Sequence, residues 1–275
     1  MSNLLRPVRR YPLVSFTVLA CLFGWSIYLA AGLGFGSDAS NLPLGPAVAA
    51  LVVAASQGRP ALRAWGRRLV GWAASPWLYA VAVVVPITIN LVNITINHLL
   101  GAPLPTAAQW ATWPQILVGF ATMLVMVGIG EEAGWSAFAA RVLLRRHGLG
   151  TSWLILSAMR ITWHLPLMLT GELPWIVGIF GNAGFQLVLL VVFQLHGSRW
   201  SVAAIWHATL NAVGGGFFFA MVTGADQARL GVLLAIAYSV VGGLSYLAWR
   251  LFGAGSSSSR LTPSPDPAEL ALARR

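Results

Sequence analysis

Leu124-Val125-Met126-Val127-Gly128-Ile129-Gly130-Glu131-Glu132-Ala133-Gly134-Trp135 sets two adjacent carboxylates inside a long apolar run. The 275-residue chain has only seven acidic residues, and two of them stand here. A charged side chain at the centre of a membrane-spanning helix costs about 2.5–3.5 kcal/mol even on a lenient insertion scale. Packing alone does not call for such a pair. Glu131 and Glu132 are therefore expected to form the functional centre, and the question is which other polar side chains reach them.

The composition around the pair defines its solvent. Hydrophobic residues make up 57% of the chain and charged ones 9%, with a mean hydropathy of +0.75. That balance excludes an ordinary soluble domain and points to an integral membrane protein. The net charge of +10 is carried entirely by arginine, since the sequence contains no lysine. These arginines lie in short connections between apolar runs, so the lipid bilayer rather than nucleic acid is the expected partner. The single cysteine, Cys21, has no disulfide partner in the chain and is expected to be a core thiol.

Working outward from the carboxylates, apolar runs fall at about 12–34, 43–56, 76–100, 115–140, 151–170, 174–196, 200–223 and 229–252. They predict an all-α polytopic transmembrane helix bundle of about eight spans. Run 43–56 is the short one, covering about 21 Å at 1.5 Å per residue against a hydrocarbon core of about 30 Å. Arginines 6, 9 and 10 precede the first run, and 59, 63, 67 and 68 follow the second. Arg145 and Arg146 follow the fourth, Arg199 the sixth, and Arg250, Arg260, Arg274 and Arg275 lie at or beyond the end of the last. The alternate connections hold Asp38, Glu172, and Asp226 with Arg229. This bias predicts both termini in the cytoplasm of a cell protein of the plasma membrane. The first run is too long for a signal h-region and is expected to remain as a span.

One membrane domain is expected over 1–253. Within it, segment 57–75 repeats arginine every four residues with Leu62, Trp65, Leu69 and Trp72 between, the pattern of an amphipathic helix lying on the inner membrane surface. The serine- and proline-rich stretch 254–275 predicts a disordered cytoplasmic tail.

Other polar residues lie at the depth of the carboxylates. Glu131 is 14 residues from Arg145, and His164 is 14 past Gly150. His207 and Asn211 are 8 and 12 residues past Arg199 and share one helical face. All four are thus about 12–21 Å from the arginine-rich edge. Such a set supports two designs for amide hydrolysis. A glutamate can act as general base on water while His or Asn donors stabilise an oxyanion. Alternatively Glu131, His164 and His207 could supply three protein ligands to a divalent metal such as zinc. The residues do not choose between these designs.

Glu131-Glu132 followed by Gly134-Trp135, then Trp163-His164-Leu165-Pro166, then His207-x-x-x-Asn211, on separate helices and in that order, resembles the CAAX prenyl endopeptidase and bacteriocin-processing family. The resemblance covers about 80 residues, and the arginine-rich 57–72 segment and eight-helix layout are also similar to bacterial members. It implies an all-helical intramembrane endopeptidase, with Glu131 activating water, Glu132 as second carboxylate, His164 and His207 as the two histidines, and Asn211 supporting the oxyanion. Members have been described as metalloproteases. The implied substrate is a membrane-associated protein or peptide, a lipidated C-terminal end entering from the inner leaflet being one candidate.

Two positions depart from the family pattern. Ser136 stands where the first motif has arginine, and Arg160 stands where the second has an aromatic residue. Arg160 is one turn from His164, so it is expected to supply the cation that position 136 lacks. The alternative is that Arg160 snorkels to the inner surface and the site is degraded. Asn90, Asn93, Asn97, Asn182 and Gln186 are expected to make interhelical hydrogen bonds, and Gly128, Gly130 and Gly134 to admit a close neighbouring helix. Two other functions fit the same residues: a non-catalytic membrane scaffold or bacteriocin-immunity protein, and a proton-coupled transporter using the carboxylates as a relay.

Overall fold

A computed structural model describes residues 6–32, 43–197 and 199–253, and the tail expected over 254–275 lies outside these. The described residues are helical and turn, with no strand among them. In a bilayer every backbone polar group must be satisfied within the chain, which this architecture achieves by intrahelical bonding. The principal helices are α1 (Pro12–Gly24), α2 (Gly45–Ser56), α3 (Arg59–Leu69), α4 (Pro76–Leu99), α5 (Gln115–Arg146), α6 (Leu149–Trp163), α7 (Val177–His196), α8 (Trp200–Met221) and α9 (Gly224–Gly253). Five of them, α4, α5, α7, α8 and α9, are long and apolar enough to cross a membrane.

The remaining apolar runs are shorter than the sequence suggests. Run 12–34 breaks at Trp25, where α1 ends and a separate short helix, Ser26–Gly32, begins. The break is fixed by two reciprocal bonds: Trp25 Nε1 donates to the Trp163 carbonyl at 2.9 Å, and Trp163 Nε1 donates to the Ala20 carbonyl at 3.1 Å. Run 151–170 breaks at His164. Pro166 has no backbone N–H and restricts the residue before it, so α6 stops and a short helix, Leu165–Leu169, restarts the chain.

The basic segment is helical only over α3, shorter than the expected 57–75. Ala61, Ala64 and Trp65, at i, i+3 and i+4, form its buried face. Trp65 Nε1 donates to the Ala133 carbonyl at 3.0 Å and Arg68 Nη1 to the Ala137 carbonyl at 3.2 Å. The Arg68 carbonyl in turn accepts from Trp200 Nε1 at 2.6 Å. The amphipathic helix is therefore pinned to the same stretch of α5 that carries the carboxylates.

Helix α5 runs between α2 and α8, while α7 lies between α6 and α9. Close approach depends on missing side chains. A Cβ at Gly128 would lie 2.9 Å from the Ala204 carbonyl oxygen of α8, and one at Gly134 would lie 2.5 Å from the carbonyl carbon of Pro46 in α2. Both contacts are with backbone, which cannot swing aside. Gly134→Val is expected to destabilise the protein by about 1–3 kcal/mol, the usual range for overpacking, read as a lowered unfolding midpoint in detergent. An unchanged midpoint would mean that α2 slides away at little cost. Cys21 is buried, in keeping with a core thiol.

Two ends of the bundle are distinguishable. Arg68, Trp200 and the C-terminal arginines of α5, Arg145 and Arg146, share one end. At the other, Gln109 Nε2 donates to the Met221 carbonyl at 3.0 Å, and Asn97 Nδ2 donates to the Asp226 carbonyl at 3.0 Å. Asn97 thus makes the expected interhelical bond, whereas Asn90 and Asn182 bond within their own helices, to the carbonyls of Pro86 and Gly178.

Candidate active site

Glu131 and Glu132 occupy a single α-helical stretch, Gly130–Gly134, between two π-helical segments of α5, Leu124–Ile129 and Trp135–Ala140. A third π segment, Leu210–Phe218, begins three residues after His207 and contains Asn211. Interruptions of this kind recur at functional sites, because each extra residue per turn re-aims the side chains beyond it.

Arg160 is the hub. It is fully buried, and its guanidinium turns towards the carboxylates, not towards the membrane edge. Arg160 Nη2 lies 2.8 Å from Glu132 Oε1, 3.3 Å from Glu131 Oε2 and 3.0 Å from His207 Nδ1. Its Nη1 donates to Gln186 Oε1 at 3.2 Å, so the polar residue of α7 makes its interhelical bond to this arginine. The guanidinium carbon also sits 5.0 Å from the ring centroid of Phe185, a cation–π distance.

The two carboxylates are held differently. Glu132 accepts from Arg160, from the hydroxyl of Ser136 one turn along, and from His207, whose Nδ1 lies 2.9 Å from Oε1. Ser136 thus serves Glu132 as a neutral donor, and Arg160 brings the cation from another helix. Glu131 has the longer contact to Arg160 and otherwise faces a cavity.

Each histidine has one nitrogen committed. His164 Nδ1 lies 2.8 Å from the Arg160 carbonyl, an acceptor only, so that nitrogen carries the hydrogen and Nε2 is a bare acceptor. For His207, the two hydrogens of Arg160 Nη2 serve the two carboxylates, which leaves His207 Nδ1 to donate its own hydrogen to Glu132. Asn211 Nδ2 donates to the His207 carbonyl at 3.0 Å and retains a second amide hydrogen.

Glu131, His164, His207 and Asn211 all line one cavity of about 720 Å³, the volume of a small-molecule or short-peptide site. Glu132 and Arg160 lie behind its wall. The cavity extends past Val177, Asn182, Leu210 and Phe219 to the connection at Gly171–Pro174 and the start of α9 at Gly224–Ala228, where Gly171 and Gly224 have φ of 82° and 58°. It therefore reaches the bundle end opposite the arginines, not the basic end from which an inner-leaflet substrate was expected to enter.

Two imidazoles with their second nitrogens anchored are what a zinc site requires. Yet no three His, Cys, Asp or Glu side chains among the described residues are gathered closely enough to hold an ion. A fixed guanidinium already contacts both carboxylates. The arrangement as it stands does not fit a metal.

Fold and site together define a multi-pass helical membrane protein with a buried charged cluster opening into a cavity. No known family model matches the chain, and no curated protein matches it either.

Proposed function

We propose that this protein is an intramembrane endopeptidase that hydrolyses a peptide bond of a membrane-associated protein or peptide. The observation that carries the reading is the division of labour between the carboxylates. Glu131 stands in the wall of a cavity that His164, His207 and Asn211 also line, while Glu132 is held behind it by Arg160, His207 and Ser136. The ordered motifs that resemble the CAAX prenyl endopeptidase and bacteriocin-processing family support the same assignment. In this reading the three shorter apolar helices complete an eight-span layout with both termini on the arginine-rich side of the plasma membrane.

A water placed between Glu131 and an imidazole Nε2 donates both hydrogens to acceptors and presents a lone pair to the scissile carbonyl carbon. As its oxygen bonds to that carbon, Glu131 takes one proton. The second amide hydrogen of Asn211 serves the developing oxyanion. Collapse of the tetrahedral intermediate breaks the C–N bond, and the proton held by Glu131 passes to the departing nitrogen. Arg160 holds Glu132 and supplies the backbone carbonyl that orients His164. No step passes through a metal.

The test is cleavage of an internally quenched membrane peptide by the purified protein, with and without a chelator. Hydrolysis that persists in chelator is expected. Hydrolysis abolished by chelator and restored by zinc would overturn the general-base assignment. Proton-linked flux without hydrolysis of any membrane peptide would overturn the endopeptidase reading.

A further inference from the structure

We propose that the cavity admits a neutral or cationic polypeptide segment from the membrane face opposite the arginine-rich one, which by the charge bias is the extracytoplasmic face; the proposal rests on the endopeptidase reading for its substrate class. Three observations carry it. First, the walls follow the helices in one direction only. From a floor at Glu131, His207, Phe185 and Tyr238 they rise to exposed residues Glu172, Pro174, Gly224 and Ala228, and no arginine lines the cavity.

Second, the route from the basic end is closed by packing. Beneath the floor lie Trp135, Ser136 and Arg160, all fully buried, with Trp65 of α3 and Trp200 packed further towards that end. A peptide entering from the basic side would have to displace the ion pairs that hold the site together.

Third, the charges fix the chemistry of the guest. Glu131 and Glu172 are the acidic side chains of the wall, and Glu132 lies just behind it. Against these three carboxylates stands the single guanidinium of Arg160. At the mouth, Asp226 and Arg229 neutralise one another at 2.6 Å. Counted as formal charges the wall is net acidic, and low-dielectric walls strengthen the field of an ionised carboxylate. A segment bearing its own carboxylate, including a free C-terminus, is repelled. An internal segment without acidic residues is accepted, which makes the cut endoproteolytic.

Entry is tested without requiring hydrolysis. In a Cys21→Ser background, Leu210→Cys reports the deep cavity, Ala228→Cys the mouth and Arg63→Cys the basic face. A membrane-impermeant maleimide is applied to intact cells and to inverted vesicles. Modification of Ala228→Cys and Leu210→Cys in cells, with Arg63→Cys reacting only in inverted vesicles, is the expected result. Leu210→Cys reacting only where Arg63→Cys reacts, or failing to react where Ala228→Cys does, would overturn the route. Neutral and lysine-bearing peptides should slow modification of Leu210→Cys several-fold, and a matched aspartate-bearing peptide should not. Equal protection by the acidic peptide would overturn the charge selection. Loss of the endopeptidase reading would show as absent cleavage with the labelling pattern intact, so the two failures are separable.

Discussion

Replacing Glu131 by glutamine is expected to abolish peptide hydrolysis while leaving the protein folded. General-base catalysis by a positioned side chain contributes about 10²–10⁴-fold, and glutamine cannot take the proton from water. Its shape is retained, and the bond it stands to weaken is the 3.3 Å contact to Arg160. The unfolding midpoint should therefore change little. Glu132→Gln makes the contrast. That carboxylate receives Arg160, His207 and Ser136, and an amide presents hydrogens where it must accept. Glu132→Gln should lower both stability and turnover. A steady-state rate series beside thermal unfolding in detergent reads both effects. Full activity in Glu131→Gln would remove Glu131 from the chemistry; equal loss of stability in both variants would show that the carboxylates are not divided as argued.

The helical membrane character was legible because composition alone decides the solvent, and apolar runs bounded by arginine locate the helices. The breaks at Trp25 and His164 were not. The first depends on tertiary contacts, the indole–carbonyl bonds between Trp25, Trp163 and Ala20, and the second on Pro166, and hydropathy registers neither. Counting depth from the arginine edge selected Glu131, His164, His207 and Asn211, and the structure brings all four to one cavity. The same count could not say which glutamate faces that cavity, since the π segments on either side of Gly130–Gly134 alter the helical register. Nor could it say which end opens, because depth measures distance from one edge and is silent about the packing between. Gln186 was visible as a polar residue in an apolar helix, but its partner was not, and Ser136 read as an absence although its hydroxyl serves Glu132.

Arg160→Leu is expected to destabilise the protein by about 3–5 kcal/mol, the cost of removing one member of a buried ion pair and leaving the other charge uncompensated. Two carboxylates would then face each other's field with only Ser136 and His207 as donors, and Gln186 Oε1 would lose its guanidinium partner. Arg160→Lys should recover part of the loss at most, since a point charge cannot serve Glu131, Glu132 and Gln186 from a planar fork. The informative variant moves the cation. Ser136 lies one turn beyond Glu132 and is fully buried, so Ser136→Arg alone should be severely destabilising: a second guanidinium has no room. In the Arg160→Leu background the vacated volume and the uncompensated carboxylates both favour it. Ser136→Arg combined with Arg160→Leu should therefore unfold later than either single variant, a non-additivity of the kind expected for groups sharing one network. Thermal unfolding of the four proteins in detergent measures it directly. Additive losses would mean that the two positions do not supply the same charge to the same carboxylates, and that Arg160 holds the site by packing on Phe185 and Trp135 instead.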